Sequence, residues 1–277
     1  MKSFFNLPRV SSEEILNGAI TRGTVVLVGS KVVGKSVHSA KGMKKAADVL
    51  REASQEITGY LPEIDLDVHF QNVVDGGTYG EKQIGKIVNV ILAEQGIPFV
   101  IGGDHSTTYF ALKETEIPSI LWLDSHTDVA KREELPEAEE VSHGSALRQL
   151  VETGKKAIVM GFRGYASIKS ELERAKKLGI KVFSYPFLEK KLARFLKDSP
   201  AISLDLDFFN ATAFPPVRTP EIYGPSVNDL IKLLRKIRGN FHPQYLDIVE
   251  YLPSRDLGSY ASVLSQIILE LLGTLLT

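Results

Sequence analysis

The chain has 277 residues, with 33 Lys and Arg against 34 Asp and Glu, a formal charge of −1 and a sequence pI near 6.6. That length can bury a sizeable α/β core, and the near-neutral charge argues against a general nucleic-acid binder, which carries a basic surplus. With no cysteine, a disulfide scaffold, thiolate catalysis and any Cys-ligated zinc or iron–sulfur site are excluded, so a metal would have to be held by His and carboxylates.

Along the chain, short β-branched runs alternate with segments of helical period. Buried strands are predicted at 24–28, 98–101, 120–123, 157–160, 180–183, 202–204 and 245–249, and amphipathic helices at 41–54, 81–95, 168–178 and 226–238. Ser226, after Pro225, is placed to cap the last of these. Continuous apolar strands alternating with helices predict an α/β fold with a mostly parallel sheet covered on both faces. No internal repeat, low-complexity segment or Gly/Ser linker divides the sequence, so a single domain over 1–277 is expected. The stretch 260–276 is too short and interrupted for a membrane helix; it is expected to pack on the sheet or on a neighbouring subunit. The opening residues lack the apolar stretch and cleavage site of a signal peptide. A soluble, cytoplasmic protein without a membrane partner is the expectation.

In open parallel sheets, ligands bind beyond the carboxyl ends of the strands. Four predicted strands end there in polar clusters: Gly102-Gly103-Asp104-His105-Ser106, Asp124-Ser125-His126-Thr127-Asp128, Asp205-Leu206-Asp207, and Glu250. The extended period of two puts Asp124, His126 and Asp128 on one side of the chain, and Asp205 and Asp207 repeat the spacing. Oxygen and imidazole donors suit Mn²⁺, Zn²⁺ or Fe²⁺. His105, Asp124, His126, Asp128, Asp205 and Asp207 are more ligands than one catalytic metal takes. With bridging carboxylates they suit two ions roughly 3.5–4 Å apart that activate a shared water. Four carboxylates balance two dications, and Glu250 then leaves the pocket negative and suited to a cationic substrate.

Taken together, the Gly-Gly-Asp-His-Ser, Asp-x-His-x-Asp and Ser203-Leu204-Asp205-Leu206-Asp207 segments resemble the three-motif signature of the ureohydrolase (arginase–agmatinase) family, closest to its agmatinase-like members. The resemblance implies a three-layer α/β/α fold on a mostly parallel, eight-stranded sheet, and two Mn²⁺ per subunit. One ion would take His105, Asp124, Asp128 and Asp205; the other would take Asp124, His126, Asp205 and Asp207. Ser142-His143-Gly144 is similar to the family's acid/base histidine, and Glu250 to the glutamate that holds the guanidinium group. The implied reaction is hydrolysis of a linear guanidino compound to urea and an amine. The bridging water attacks, Glu250 orients the guanidinium, Asp128 helps stabilise the tetrahedral intermediate, and His143 protonates the leaving amine. The resemblance also implies a homo-oligomer, a trimer or hexamer.

Three positions depart from the family pattern: Ser125 stands for the usual Ala, Asn210 for the usual Asp, and Arg218 for a Gly in a stretch that keeps Thr219-Pro220-Glu221. The family's arginine-reading motif before the histidine is missing. An acidic run, Glu133, Glu134, Glu137, Glu139 and Glu140, is either a solvated loop or an attraction for a distal amine. Agmatine or aminopropylagmatine is therefore the expected substrate, and arginine, guanidinobutyrate and formiminoglutamate are the alternatives. Arg218, as a cation at the rim, is able to bind a carboxylate. A family member that has lost activity and only binds is a further alternative. A rival from another class is a nucleotide-binding loop, because residues 29–36 match G-x-x-x-x-G-K-S after a strand. Against it, Gly42 places the following helix start near residue 42, and nucleotide binding leaves the His and Asp clusters unexplained.

Overall fold

The computed structural model describes residues 2–34, 42–135, 141–165, 167–187 and 189–277. Its strands are β1 (Val25–Ser30), β2 (Tyr60–Leu61), β3 (Leu66–Asp67), β4 (Val73–Tyr79), β5 (Ile97–Ile101), β6 (Ser119–Leu123), β7 (Lys156–Phe162), β8 (Lys181–Ser184), β9 (Ala201–Asp205) and β10 (Tyr245–Val249). Eight of them form one sheet in the order β4-β1-β5-β10-β9-β6-β7-β8, and every neighbouring pair is parallel. β2 and β3 form a separate antiparallel ladder.

The helices are α1 (Ser12–Leu16), α2 (Ala46–Ala53), α3 (Glu81–Ala93), α4 (Ser106–Leu112), α5 (Ala146–Glu152), α6 (Lys169–Lys177), α7 (Glu189–Asp198), α8 (Val227–Ile237) and α9 (Tyr260–Leu275). Alternate residues of each strand feed two separate cores. Leu27, Leu121, Leu123, Ile202, Leu204 and Ile248 pack beneath α2, α7, α8 and α9. Val26, Val28, Val100, Ile120, Trp122 and Val159 pack beneath α3, α4, α5 and α6. Helices thus cover both faces of a parallel sheet, the three-layer arrangement that strands buried on both sides require.

The seven predicted strands are all present in the large sheet, and its eighth, β4, was missed, as was the short β2–β3 ladder. β4 reads Val-Val-Asp-Gly-Gly-Thr-Tyr, and its two glycines and buried Asp75 break the apolar run. The acid is there because Arg51 of α2 pairs with it, Nε 2.7 Å and Nη2 2.9 Å from its two oxygens. Ser226 caps α8, accepting from the Asp229 N–H in a reciprocal capping box. The 260–276 stretch is helical over α9 and packs within its own chain, buried against α8 and α2. After β1 the first described helical turn starts at Met43; Lys35 and Ser36 of the G-x-x-x-x-G-K-S match lie outside the described residues.

Candidate metal centre

The four central strands β5, β10, β9 and β6 end side by side, and every predicted metal ligand follows or ends one of β5, β9 and β6. Beyond β5 the chain turns through Gly102 and Gly103, at φ +92° and +81°. A side chain at Gly103 would collide with the Val32 carbonyl and the Thr107 hydroxyl, so only glycine permits this exit. The turn delivers His105 to the start of α4, with its ring stacked on Trp122 of β6 at 3.7 Å and 10°.

His105 Nε2 lies 2.9 Å from Ser203 Oγ. Its buried Nδ1 makes no hydrogen bond, yet it lies 3.0, 3.0 and 3.1 Å from carboxylate oxygens of Asp124, Asp128 and Asp205. Adjacent ligands of an octahedral ion with bonds of about 2.1 Å stand about 3.0 Å apart. The four atoms have the spacing of donors around a shared cation, and their chemistry suits a divalent metal. A second group stands beside them: His126 Nδ1 lies 3.3 Å from Asp124 Oδ1 and 3.0 Å from Asp207 Oδ2. Asp124 offers Oδ2 to one group and Oδ1 to the other. His105, Asp124 and Asp205, and Asp124, His126 and Asp207, each converge closely enough to hold an ion. All six predicted ligands are thus brought together.

A second tier of groups orients these side chains. Trp122 Nε1 donates to Asp124 Oδ2 at 2.9 Å. The Ser125 hydroxyl, one of the departures, donates to Asp207 Oδ1 at 2.7 Å. Glu221 stands 3.2 Å from His126 Nε2. Behind His105, the Ser203 hydroxyl donates to Asp247, whose other oxygen accepts from Thr108 at 2.8 Å and Tyr245 at 2.7 Å. A carboxylate behind a hydroxyl behind an imidazole fixes the ring's orientation and tautomer. None of Ser203, Asp247 and Glu221 was assigned a role from the sequence. Ser203 and Asp247 lie on core-forming strands, where their spacing carries no signal, while Glu221 sits in the retained Thr-Pro-Glu.

The electrostatics follow from crowding charge in a buried space. Burial, followed by the neighbouring Asp124, pushes Asp128 up to about 7. Burial likewise raises Asp205 and Asp207. Although burial opposes it, the facing carboxylates hold His105 and His126 well above the usual imidazole range. Such competition between like charges is what a dication in their midst relieves.

Glu250 and His143 complete the cleft, which measures about 190 Å³ and is lined also by Ser167, Glu171, Arg218 and Thr219. Glu250 follows β10 at φ +68° and accepts from the His105 N–H at 3.0 Å; Asp128 has φ +47°. Both hold the left-handed backbone, which a residue other than glycine keeps only where its surroundings fix it. Burial pushes Glu250 up to about 8. His143 opens a 3₁₀ turn, His143–Ser145, and Arg218 meets its ring, with Nη1 3.0 Å from Nδ1 and Nη2 against Nε2. Burial, then the Arg218 cation, keeps the His143 pKa well below that of a free imidazole. Of the acidic run, Glu134 is tied to Arg174 at 2.7 and 2.6 Å. Glu133 is exposed, and Glu137, Glu139 and Glu140 lie outside the described residues.

A profile of the arginase family matches residues 24–273. Over 229 residues the chain is 26% identical to a human mitochondrial guanidino acid hydrolase, covering 76% of this chain and 63% of that protein, which is less than two thirds of its length. It is 25% identical to an agmatinase of Pyrococcus horikoshii over 229 residues, 78% of this chain and 79% of the relative. Among solved structures, the proclavaminate amidino hydrolase of Streptomyces clavuligerus superposes with a TM-score of 0.81 at 22% identity, over 99% of this chain and 97% of that one. That likeness concerns the fold.

Proposed function

The chain belongs to the arginase family, and from this premise we propose that it is a hydrolase that converts a linear guanidino compound to urea and an amine, on one catalytic domain that binds two manganese ions. The observation that carries the reading is the convergence of His105 Nδ1 and three carboxylate oxygens at 3.0–3.1 Å, with the His126 group sharing Asp124. His105, Asp124, Asp128 and Asp205 would hold one ion, and Asp124, His126, Asp205 and Asp207 the other. When bound, two such ions supply Lewis acidity and make water nucleophilic near neutral pH.

The remaining work falls to the chain. Glu250, at the cleft wall, pairs with the planar guanidinium and turns its carbon toward the ligand cluster. Asp128 is placed to accept a hydrogen bond from the attacking water. His143 is positioned to pass a proton to the leaving nitrogen, which requires the Arg218 guanidinium to withdraw from its ring. The small cleft suits a short linear molecule and does not suit a nucleotide.

For the substrate's far end, the absence of an arginine-reading motif favours agmatine or aminopropylagmatine, and relatives include both agmatinases and a guanidino acid hydrolase. Arg218 in the cleft favours the second class. The test is urea release by Mn²⁺-reconstituted enzyme from agmatine, aminopropylagmatine, arginine and guanidinobutyrate. Urea from at least one is expected; none from any, with two ions bound, overturns the proposal.

A further inference from the structure

We propose that Arg218 is the receptor for a carboxylate at the far end of the substrate, so that this enzyme prefers guanidino acids to guanidino amines. The inference rests on the guanidino-hydrolase reading above and adds the substrate class. Arg218 lines the same cleft as Glu250, Asp205 and Asp207. Its backbone is pinned there: Arg255 Nη1 donates to the carbonyls of Val217 at 2.8 Å and Arg218 at 2.7 Å, and the Leu252 N–H donates to Pro216 at 2.8 Å. The loop is thereby fastened to the segment that follows Glu250, which fixes the backbone from which the Arg218 side chain reaches into the cleft.

Although the cleft is rich in carboxylates, the Arg218 guanidinium makes no ion pair with any of them among the described residues. Its polar contacts are the two ring nitrogens of His143. A neutral imidazole has one lone-pair nitrogen, whereas a guanidinium carries five N–H donors. The contact therefore leaves Arg218 with donors to spare inside a confined space. A substrate carboxylate accepts two of them side by side, in the geometry that guanidinium matches best. In taking them it draws Arg218 off His143, freeing the imidazole for its proton. A terminal ammonium would meet a like charge in the same small cleft. Thr219, which lines the same cleft, carries a hydroxyl that can serve as a further donor.

The experiment uses Mn²⁺-loaded enzyme and three probes that share a guanidino head: 4-guanidinobutyrate, agmatine and butylguanidine. The wild type is expected to show a kcat/KM for guanidinobutyrate at least tenfold above that for agmatine. In Arg218→Ala the ratio of guanidinobutyrate to butylguanidine falls about ten- to a hundredfold, the worth of one charge-assisted pair, and Arg218→Lys recovers part of it. Calorimetric binding of the same probes to metal-free enzyme gives a readout independent of turnover: guanidinobutyrate is to bind more tightly than butylguanidine in the wild type and no more tightly in Arg218→Ala. A wild type that favours agmatine, a ratio unchanged in Arg218→Ala, or a uniform gain on all three probes would overturn the proposal. Urea from none of the probes, with the binding preference intact, would instead overturn the hydrolase reading alone.

Discussion

Replacing Asp247 with Asn tests how the fold sets the chemistry of His105. Asp247 accepts three hydroxyl hydrogens, from Ser203 on one oxygen and from Thr108 and Tyr245 on the other. Because Ser203 donates to Asp247, its lone pair faces His105 Nε2 at 2.9 Å and accepts that nitrogen's proton. Nδ1, facing Asp124, Asp128 and Asp205, is then the nitrogen left to bind a metal. In Asp247→Asn, the amide oxygen keeps Thr108 and Tyr245 while the NH₂ group turns to Ser203. The serine hydrogen must rotate toward Nε2, and the proton moves to Nδ1, the wrong tautomer for a metal ligand. One mismatched buried hydrogen bond costs about 1–3 kcal/mol of stability. Loss of an outer partner lowers metal affinity about 10- to 100-fold, equivalent to about 1.4–2.7 kcal/mol. Calorimetric titration of Mn²⁺ into wild type, Asp247→Asn and Ser203→Ala measures this, with Ser203→Ala expected between the other two. An Asp247→Asn protein that folds and binds Mn²⁺ within threefold of wild type refutes the tautomer reasoning.

Arg51→Met leaves Asp75, with a fully buried side chain, without its guanidinium; this should cost about 3–5 kcal/mol, seen as a lower urea midpoint at unchanged m-value. The Phe4 and Gly77 N–H groups also donate to Asp75, at 3.0 and 2.9 Å, and a loss below about 1 kcal/mol would show that they suffice for it. Arg174 holds the Glu134 carboxyl down at about 2, so this pair stabilises the fold above the unfolded carboxylate range and loses its effect as pH falls from about 4.5 toward 2. Glu134→Gln should therefore cost about 1 kcal/mol at pH 7, allowing for solvent screening, with the gap from wild type narrowing at pH 3.5. A gap that is constant with pH would count against the assignment.

Much of the centre was legible in the sequence because it breaks a rule. Strands buried on both faces ended in Asp and His, and residues such as Asp124 and Asp205 had no packing reason to be there. Their convergence followed from a parallel sheet, which brings the carboxyl ends of β5, β9 and β6 to one edge. Contacts between segments far apart in sequence were not legible. Nothing in the spacing of Ser203 and Asp247 marks them as one hydrogen-bonded chain behind His105. Nor does it show that Arg218, 75 residues from His143, reaches its ring. β4 was hidden for a related reason: its Asp75 is explained by Arg51 on another element, and its glycines mimic a turn. Short α4 carries three hydroxyl residues in its first turn, Ser106, Thr107 and Thr108, which obscured its helical period.

Metal stoichiometry tests the central claim most directly. Purified protein equilibrated with Mn²⁺ and freed of excess ion should retain two ions per chain by elemental analysis. Asp124→Ala, which removes the carboxylate shared by both groups, should retain none while still folding. One ion or fewer in the wild type, or two in Asp124→Ala, would contradict the two-metal centre.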